Sequence, residues 1–234
     1  FGYVYENYLK ELYEETNKGQ YFTDPAVVNF MLDEIGFTKK EILRRYKNKP
    51  EKDSLSLIDP SCGSGTFLYS AVDRLIDALY DGTENKSKLI EELINNNIFG
   101  LDISTFPLYL AEMSILMRML PLIINEQYNN PVDKKIKVFN TQDSIAEFAD
   151  TKIDAKEKDL PLFRDIIKLG YDSFLRDEDD LKEMKESLVD AYRRRFDYVI
   201  GNPPYIGYNE CRKQKILFTE LIKTKKMSMG NITV

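Results

Sequence analysis

The chain has 234 residues, 43% hydrophobic and 31% charged, with a formal net charge of −6. That composition fits one substantial core with an appended helical part, and the acidic balance excludes a protein that holds nucleic acid mainly by a basic coat. Histidine is absent, which excludes a histidine general base, a Ser–His pair and a histidine-ligated metal. Cys62 and Cys211 lack metal-ligand spacing, so neither a metal site nor a disulfide framework is expected, and a reduced, cytoplasmic setting follows. No apolar run reaches the roughly 20 residues of a membrane span and no signal-peptide layout opens the chain, so no membrane partner is expected.

In chain order, Tyr5, Tyr8, Leu9 and Leu12 fall at helical intervals and predict a helix over 3–15. Gly19 and Pro25 break it, and AVVNFMLDEI predicts a second helix with Thr23 or Asp24 as N-cap. The lysine-rich run KNKPEKDS separates this helical segment, 1–50, from the rest, 51–234. SLSLID then predicts a strand ending at Asp59, PSCGSG a tight loop, and TFLYSAVDRLIDALY a helix with Phe67, Ala71, Leu75 and Leu79 on one face. After a polar loop, DGTENKSK, come a short helix and a second strand, IFGLD, ending at Asp102. Pro107 suits the first turn of the following helix. KIKVFNTQD predicts a third strand ending near Asp143, and FDYVIGN a fourth ending at Asn202. Between these two lies an insertion of about 50 residues (145–195), long for a crossover. Strands alternating with helices predict an α/β fold with a parallel, doubly wound sheet behind an N-terminal helical extension.

Ligands in such sheets sit outside the carboxyl ends of the strands, where Asp59, Asp102, Asp143 and Asn202 would converge. The loop Gly63-Ser64-Gly65 lets backbone approach a ligand at a helix start, but it lacks the Gly-Lys-Ser/Thr ending of a phosphate-binding loop. Asp59 would attract a cationic group and Asp102 would accept two ribose hydroxyls. Asp102 lies well beyond the ~20-residue separation of the dinucleotide fingerprint, which disfavours a nicotinamide cofactor. A ligand with an amino group, a carboxylate and a ribose fits better. Asn202-Pro203-Pro204-Tyr205 is more rigid than a turn requires, since two prolines fix two φ angles.

These elements together, Asn-Pro-Pro-Tyr, DPSCGSGTFL and GQYFTDPAVVNFML, resemble the S-adenosylmethionine-dependent DNA adenine-N6 methyltransferases of restriction–modification systems. With the QYFT element first, their order looks like the gamma arrangement. The resemblance covers most of the chain except the 145–195 insertion. In one departure, Asp24 intervenes between Thr23 and Pro25, where the family commonly has proline directly after the threonine.

The resemblance implies a Rossmann-like methyltransferase domain over 51–234, incomplete at its C-terminal end, with S-adenosylmethionine as cofactor and double-stranded DNA as partner. It implies that Tyr21, Thr23 and Gly63 hold the methionine end of the cofactor, with Gly65 in the same loop and Asp59 near the amino group. Asp102 would bind the ribose, Ile103 pack on the adenine, and Asp143 accept from the adenine amino group. The Asn202 side-chain oxygen and the Pro203 carbonyl would accept from the target amine, with Tyr205 stacked on the flipped base. Two readings compete with it: a protein-glutamine or RNA amino-group methyltransferase, and a non-catalytic subunit of the same fold. The basic run CRKQKILFTELIKTKK is either a phosphate-steering element or a solvated helix face. Sequence specificity is expected beyond Val234, in a fused target-recognition domain and nuclease or in a separate specificity subunit.

Overall fold

A computed structural model describes residues 23–48, 55–124, 136–140 and 194–203. The expectations for the 3–15 helix, Tyr21, Asp143, the 145–193 part of the insertion, Tyr205 and the basic run after it lie outside those residues. Within them, α1 (Pro25–Glu34), α2 (Lys39–Asn48), β1 (Leu57–Asp59), α3 (Thr66–Leu79), α4 (Glu84–Asn97), β2 (Ile98–Asp102), α5 (Thr105–Ile124), β3 (Lys137–Asn140) and β4 (Tyr198–Val199) follow one another. The four strands form one sheet of order β3-β2-β1-β4, and every pairing is parallel. The alternation read from the sequence thus gives the α/β architecture expected.

Apolar residues fill both faces of the strands, as parallel sheets require. Leu57, Ile98, Val138 and Tyr198 join Leu68, Ala71 and Leu75 of α3 and Ile115 and Met119 of α5 in one core. On the opposite face Ile58, Phe99, Leu101 and Phe139 are also buried. There the Phe99 ring meets Phe196 edge-on, with ring centroids 5.1 Å apart, and the Arg194 guanidinium lies over the Phe99 ring.

α1 begins where its residues dictate. The Asp24 carboxylate accepts from Ala26 N at 2.7 Å, making Asp24 the N-cap, and Pro25 occupies the first turn. Arg74 of α3 then clamps the far end of α1, donating to Asp33 Oδ1 at 2.6 Å, to the Phe37 carbonyl at 2.9 Å and to the Asn29 carbonyl at 2.8 Å. A second clamp fixes β4 beside β1: Asp197 Oδ2 accepts from Ser56 N at 3.0 Å and from Ser56 Oγ at 3.1 Å, and Asp197 N donates to Ser56 Oγ at 3.0 Å.

Several expectations change. α2 is a helix that the sequence did not announce: Ile42 is buried, Leu43 and Tyr46 pack against the core, and Glu41 pairs with Arg44 and Arg45. α4 is not short. Its first turns come from ENKSK, read above as loop, and only Ser87 among those residues is buried. β3 is described over Lys137–Asn140, and its expected end near Asp143 lies outside the described residues. In β4 the ladder stops at Val199, though Ile200 N still donates to the Ile58 carbonyl at 3.0 Å. α5 is long and apolar enough over Phe106–Ile124 to cross a membrane, contrary to the expectation of no such run; Leu108, Ala111, Ile115, Met119 and Leu122 form its core side.

Candidate active site

At the carboxyl end of the sheet, β1 and β2 deliver Asp59 and Asp102 to the same face of neighbouring strands, staggered by two residues, since Asp59 pairs in register with Gly100. The 60–65 loop is folded onto them. Cys62 N donates to the Leu101 carbonyl at 2.8 Å, Gly63 N to Asp102 Oδ2 at 2.9 Å and Ser104 N to Asp102 Oδ1 at 2.8 Å. Each Asp102 oxygen therefore receives a backbone donor and keeps further acceptor capacity. Partial burial pushes the Asp102 carboxyl above the ordinary aspartate range, against the pull of the amides of Ser104, Gly63 and Ile103.

Asp59 is 1% exposed. Its Oδ1 accepts from Ser61 N at 3.0 Å, whereas among the described residues Oδ2 is buried without a hydrogen-bond partner, as is Ser61 Oγ. Burial pushes its carboxyl up to about 7, offset in part by the Ser61 amide and reinforced by the charge of Asp102. A buried acceptor with no donor beside it fits a site that awaits a cationic or hydrogen-bond-donating group.

The two loop glycines differ. Gly63, at φ +52°, has open space where a side chain would project, while a β-carbon on Gly65, at φ +82°, would lie 2.7 Å from Ala111 Cβ. Gly65 is therefore glycine to seat the start of α3 against α5; Gly63 faces the open side of the loop. Ile103, directly after Asp102, is 60% exposed.

Asn202 enters from β4. The Ile200-Gly201-Asn202 backbone passes over Asp59 so closely that a β-carbon on Gly201 would fall 2.5 Å from Asp59 Oδ1 and 3.3 Å from Ser61 Oγ. The Asn202 Nδ2 donates to Thr23 Oγ1 at 3.1 Å, across a sequence separation of 179. Pro203 is exposed beside it. Thr23, Asp59, Gly63, Asp102, Ile103, Asn202 and Pro203 thus lie on the strand-end loops and the residue preceding the α1 cap, whereas Tyr21, Asp143 and Tyr205 fall outside the described residues. Gly201 and Ser61 had no role in the expectations above. The signal for Gly201 was its place immediately before Asn202 at a strand end, and for Ser61 its place two residues after Asp59.

Family models match the chain as an N-6 DNA methylase over residues 1–155 and as an Eco57I restriction-modification methylase over 96–233. Among individual proteins, the chain is 26% identical over 165 residues to the type I restriction enzyme EcoEI methylase subunit of Escherichia coli, covering 69% of this chain and 30% of that protein. It is 27% identical to the type II methyltransferase M.BstVI of Geobacillus stearothermophilus, covering 88% of this chain and 26% of that protein. To the adenine-specific methyltransferase PglX of Streptomyces coelicolor it is 27% identical, over 79% of this chain and 15% of that protein. The chain therefore spans less than a third of the length of these relatives. In a cryoEM structure of a DrdV–DNA complex, one chain superposes with a TM-score of 0.59 at 17% identity, over 99% of this chain and 19% of that one, which establishes the likeness of fold. With models matched over more than half its length, the chain belongs to the N-6 DNA methylase family.

Proposed function

We propose that this chain is the catalytic part of an enzyme that transfers a methyl group from S-adenosylmethionine to the N6 amino group of adenine in DNA, within a restriction–modification or related phage-defence system. The observation that carries the reading is the meeting of Asp59, Gly63, Asp102 and Asn202 at one end of the sheet. The residues fit the donor: the unpartnered Asp59 Oδ2 suits an ammonium, Asp102 retains acceptor capacity for ribose hydroxyls, and Ile103 offers an exposed apolar surface to an adenine. When bound, that donor supplies an electrophilic methyl group on a sulfonium.

The chain's own residues would act on the acceptor amine. An exocyclic amine is a poor nucleophile because its lone pair is delocalised into the ring. Asn202 Oδ1 and the Pro203 carbonyl would accept its two N–H bonds and draw them out of the ring plane, while Tyr205 stacks on the flipped base. Preorganised dipoles and positioning are the main catalytic resource. Tyr21, Gly65 and Asp143 complete the proposed cofactor contacts, in a Rossmann-like domain over 51–234 with a helical segment over 1–50 and the gamma order of motifs. The enzyme would be cytoplasmic and act on double-stranded DNA, with specificity supplied by a partner subunit or a fused recognition domain and nuclease.

The test is transfer of labelled methyl groups to DNA by the full-length protein, with base analysis of the product. Label in N6-methyladenine is expected, and Asn202→Ala should abolish transfer while sparing cofactor binding. Label in protein or RNA alone, or an active Asn202→Ala variant, would sink the reading.

A further inference from the structure

Asn202 is held at more points than a strand-end residue needs. Gly201 is pressed against Asp59 on one side, Pro203 fixes the backbone on the other, and the side-chain amide reaches Thr23 Oγ1 at 3.1 Å. The Thr23 end of this contact is equally fixed. Thr23 immediately precedes Asp24, the residue that caps α1, and α1 is tied to α3 through Arg74.

A carboxamide has two ends of nearly identical shape and opposite hydrogen-bonding sense. The proposed chemistry works with only one of them: Oδ1 must face the target amine, and an Nδ2 there would set donor against donor. Asn202 and Thr23 are both partly buried, and the Thr23 hydroxyl meets the amide at its Nδ2 end, accepting there and leaving Oδ1 outside this contact, although a hydroxyl that donated would hold Oδ1 instead. We infer that Thr23 is a positioning residue whose hydroxyl holds the Asn202 amide with its Oδ1 turned to the incoming amine. This rests on the function proposed above and adds to it a second duty for Thr23. The loop proposed to bind the cofactor also sets the polarity of the catalytic amide.

The experiment compares Thr23→Val, which keeps the shape and loses the hydroxyl, with Thr23→Ser, which keeps the hydroxyl, in the full-length protein. Single-turnover methyl transfer to DNA, cofactor affinity by calorimetry, and the Asn202 side-chain amide resonances of selectively labelled protein are read for each. Thr23→Val is expected to slow transfer by about 10- to 100-fold, the scale of a misplaced catalytic group. Its cofactor affinity should fall by no more than about 10-fold, one hydrogen bond's worth, and the loss in transfer should persist at saturating cofactor. The Asn202 amide protons should shift and exchange faster, and Thr23→Ser should restore both rate and resonances. A Thr23→Val variant with wild-type transfer, with unshifted Asn202 resonances, or with its whole loss in cofactor affinity would overturn the inference. The resonances report the contact even if the wild-type protein transfers nothing to adenine, an outcome that would overturn the functional reading instead.

Discussion

Asp59→Asn should flatten the pH dependence of folding stability. In the native protein, burial holds the Asp59 carboxyl at about 7, against an ordinary value of 3.8. The unfolded chain therefore gives up this proton first. Between those two values the native state binds more protons than the unfolded state, so stability falls as pH rises. The contribution is fully present below the unfolded value and is lost as pH climbs through the native one. A separation of about three pH units corresponds to about 4 kcal/mol in all. About 2 kcal/mol of this falls between about pH 5.5 and about pH 8.5, a range convenient for measurement. Urea unfolding of wild type and Asp59→Asn at several pH values, extrapolated linearly to water, reads the difference directly. The wild-type curve should descend relative to the variant by that amount. Two parallel curves would mean that Asp59 is ionised in the free protein and that the unpartnered Oδ2 has a donor after all.

Asp102→Ala is expected to weaken binding of S-adenosylmethionine by about 1–3 kcal/mol, through loss of charged acceptors and release of the Gly63 amide; unchanged affinity by calorimetry would remove Asp102 from the site. Gly201→Ala pushes a methyl group into the Asp59 carboxylate and should cost about 1–3 kcal/mol of stability, with a larger proportional loss of methyl transfer. Thermal unfolding and a transfer assay both at wild-type levels would show that the backbone over Asp59 has slack.

The strand ends at Asp59 and Asp102 were legible because parallel strands buried on both faces read as unbroken apolar runs closed by a polar residue. Helix α2 was not. KKEILRRYKN is dominated by charge, and its helical state depends on Ile42 reaching a core supplied by residues distant in sequence. The same holds for the start of α4, whose first turns show mostly polar side chains to solvent. The Gly63-Ser64-Gly65 loop was legible as a tight strand-to-helix turn, but the work of its two glycines was not separable, since the neighbour that demands Gly65 is Ala111 on another helix. Asp24, a departure from the family pattern, turns out to be the α1 cap, so the extra residue has a local structural reason. The Thr23–Asn202 contact had no sequence signal, because nothing local links residues separated by 179 positions.

The Ser56–Asp197 clamp also bears on how this protein comes into being. β4 joins β1 across a separation of 141 residues, and closing a loop of that length costs about 4 kcal/mol in chain entropy before any contact compensates. Neighbouring strands β1 and β2 are joined far more locally, so the rows β3-β2-β1 can assemble while β1 still presents an open edge. That edge is a site for unwanted pairing until the late segment arrives. Because Gly201 and Asn202 travel with that segment, the loop proposed to act on the amine is expected to be among the last parts assembled. A molecule trapped short of that step would carry an intact Asp59–Asp102 pair and no means of addressing an amine.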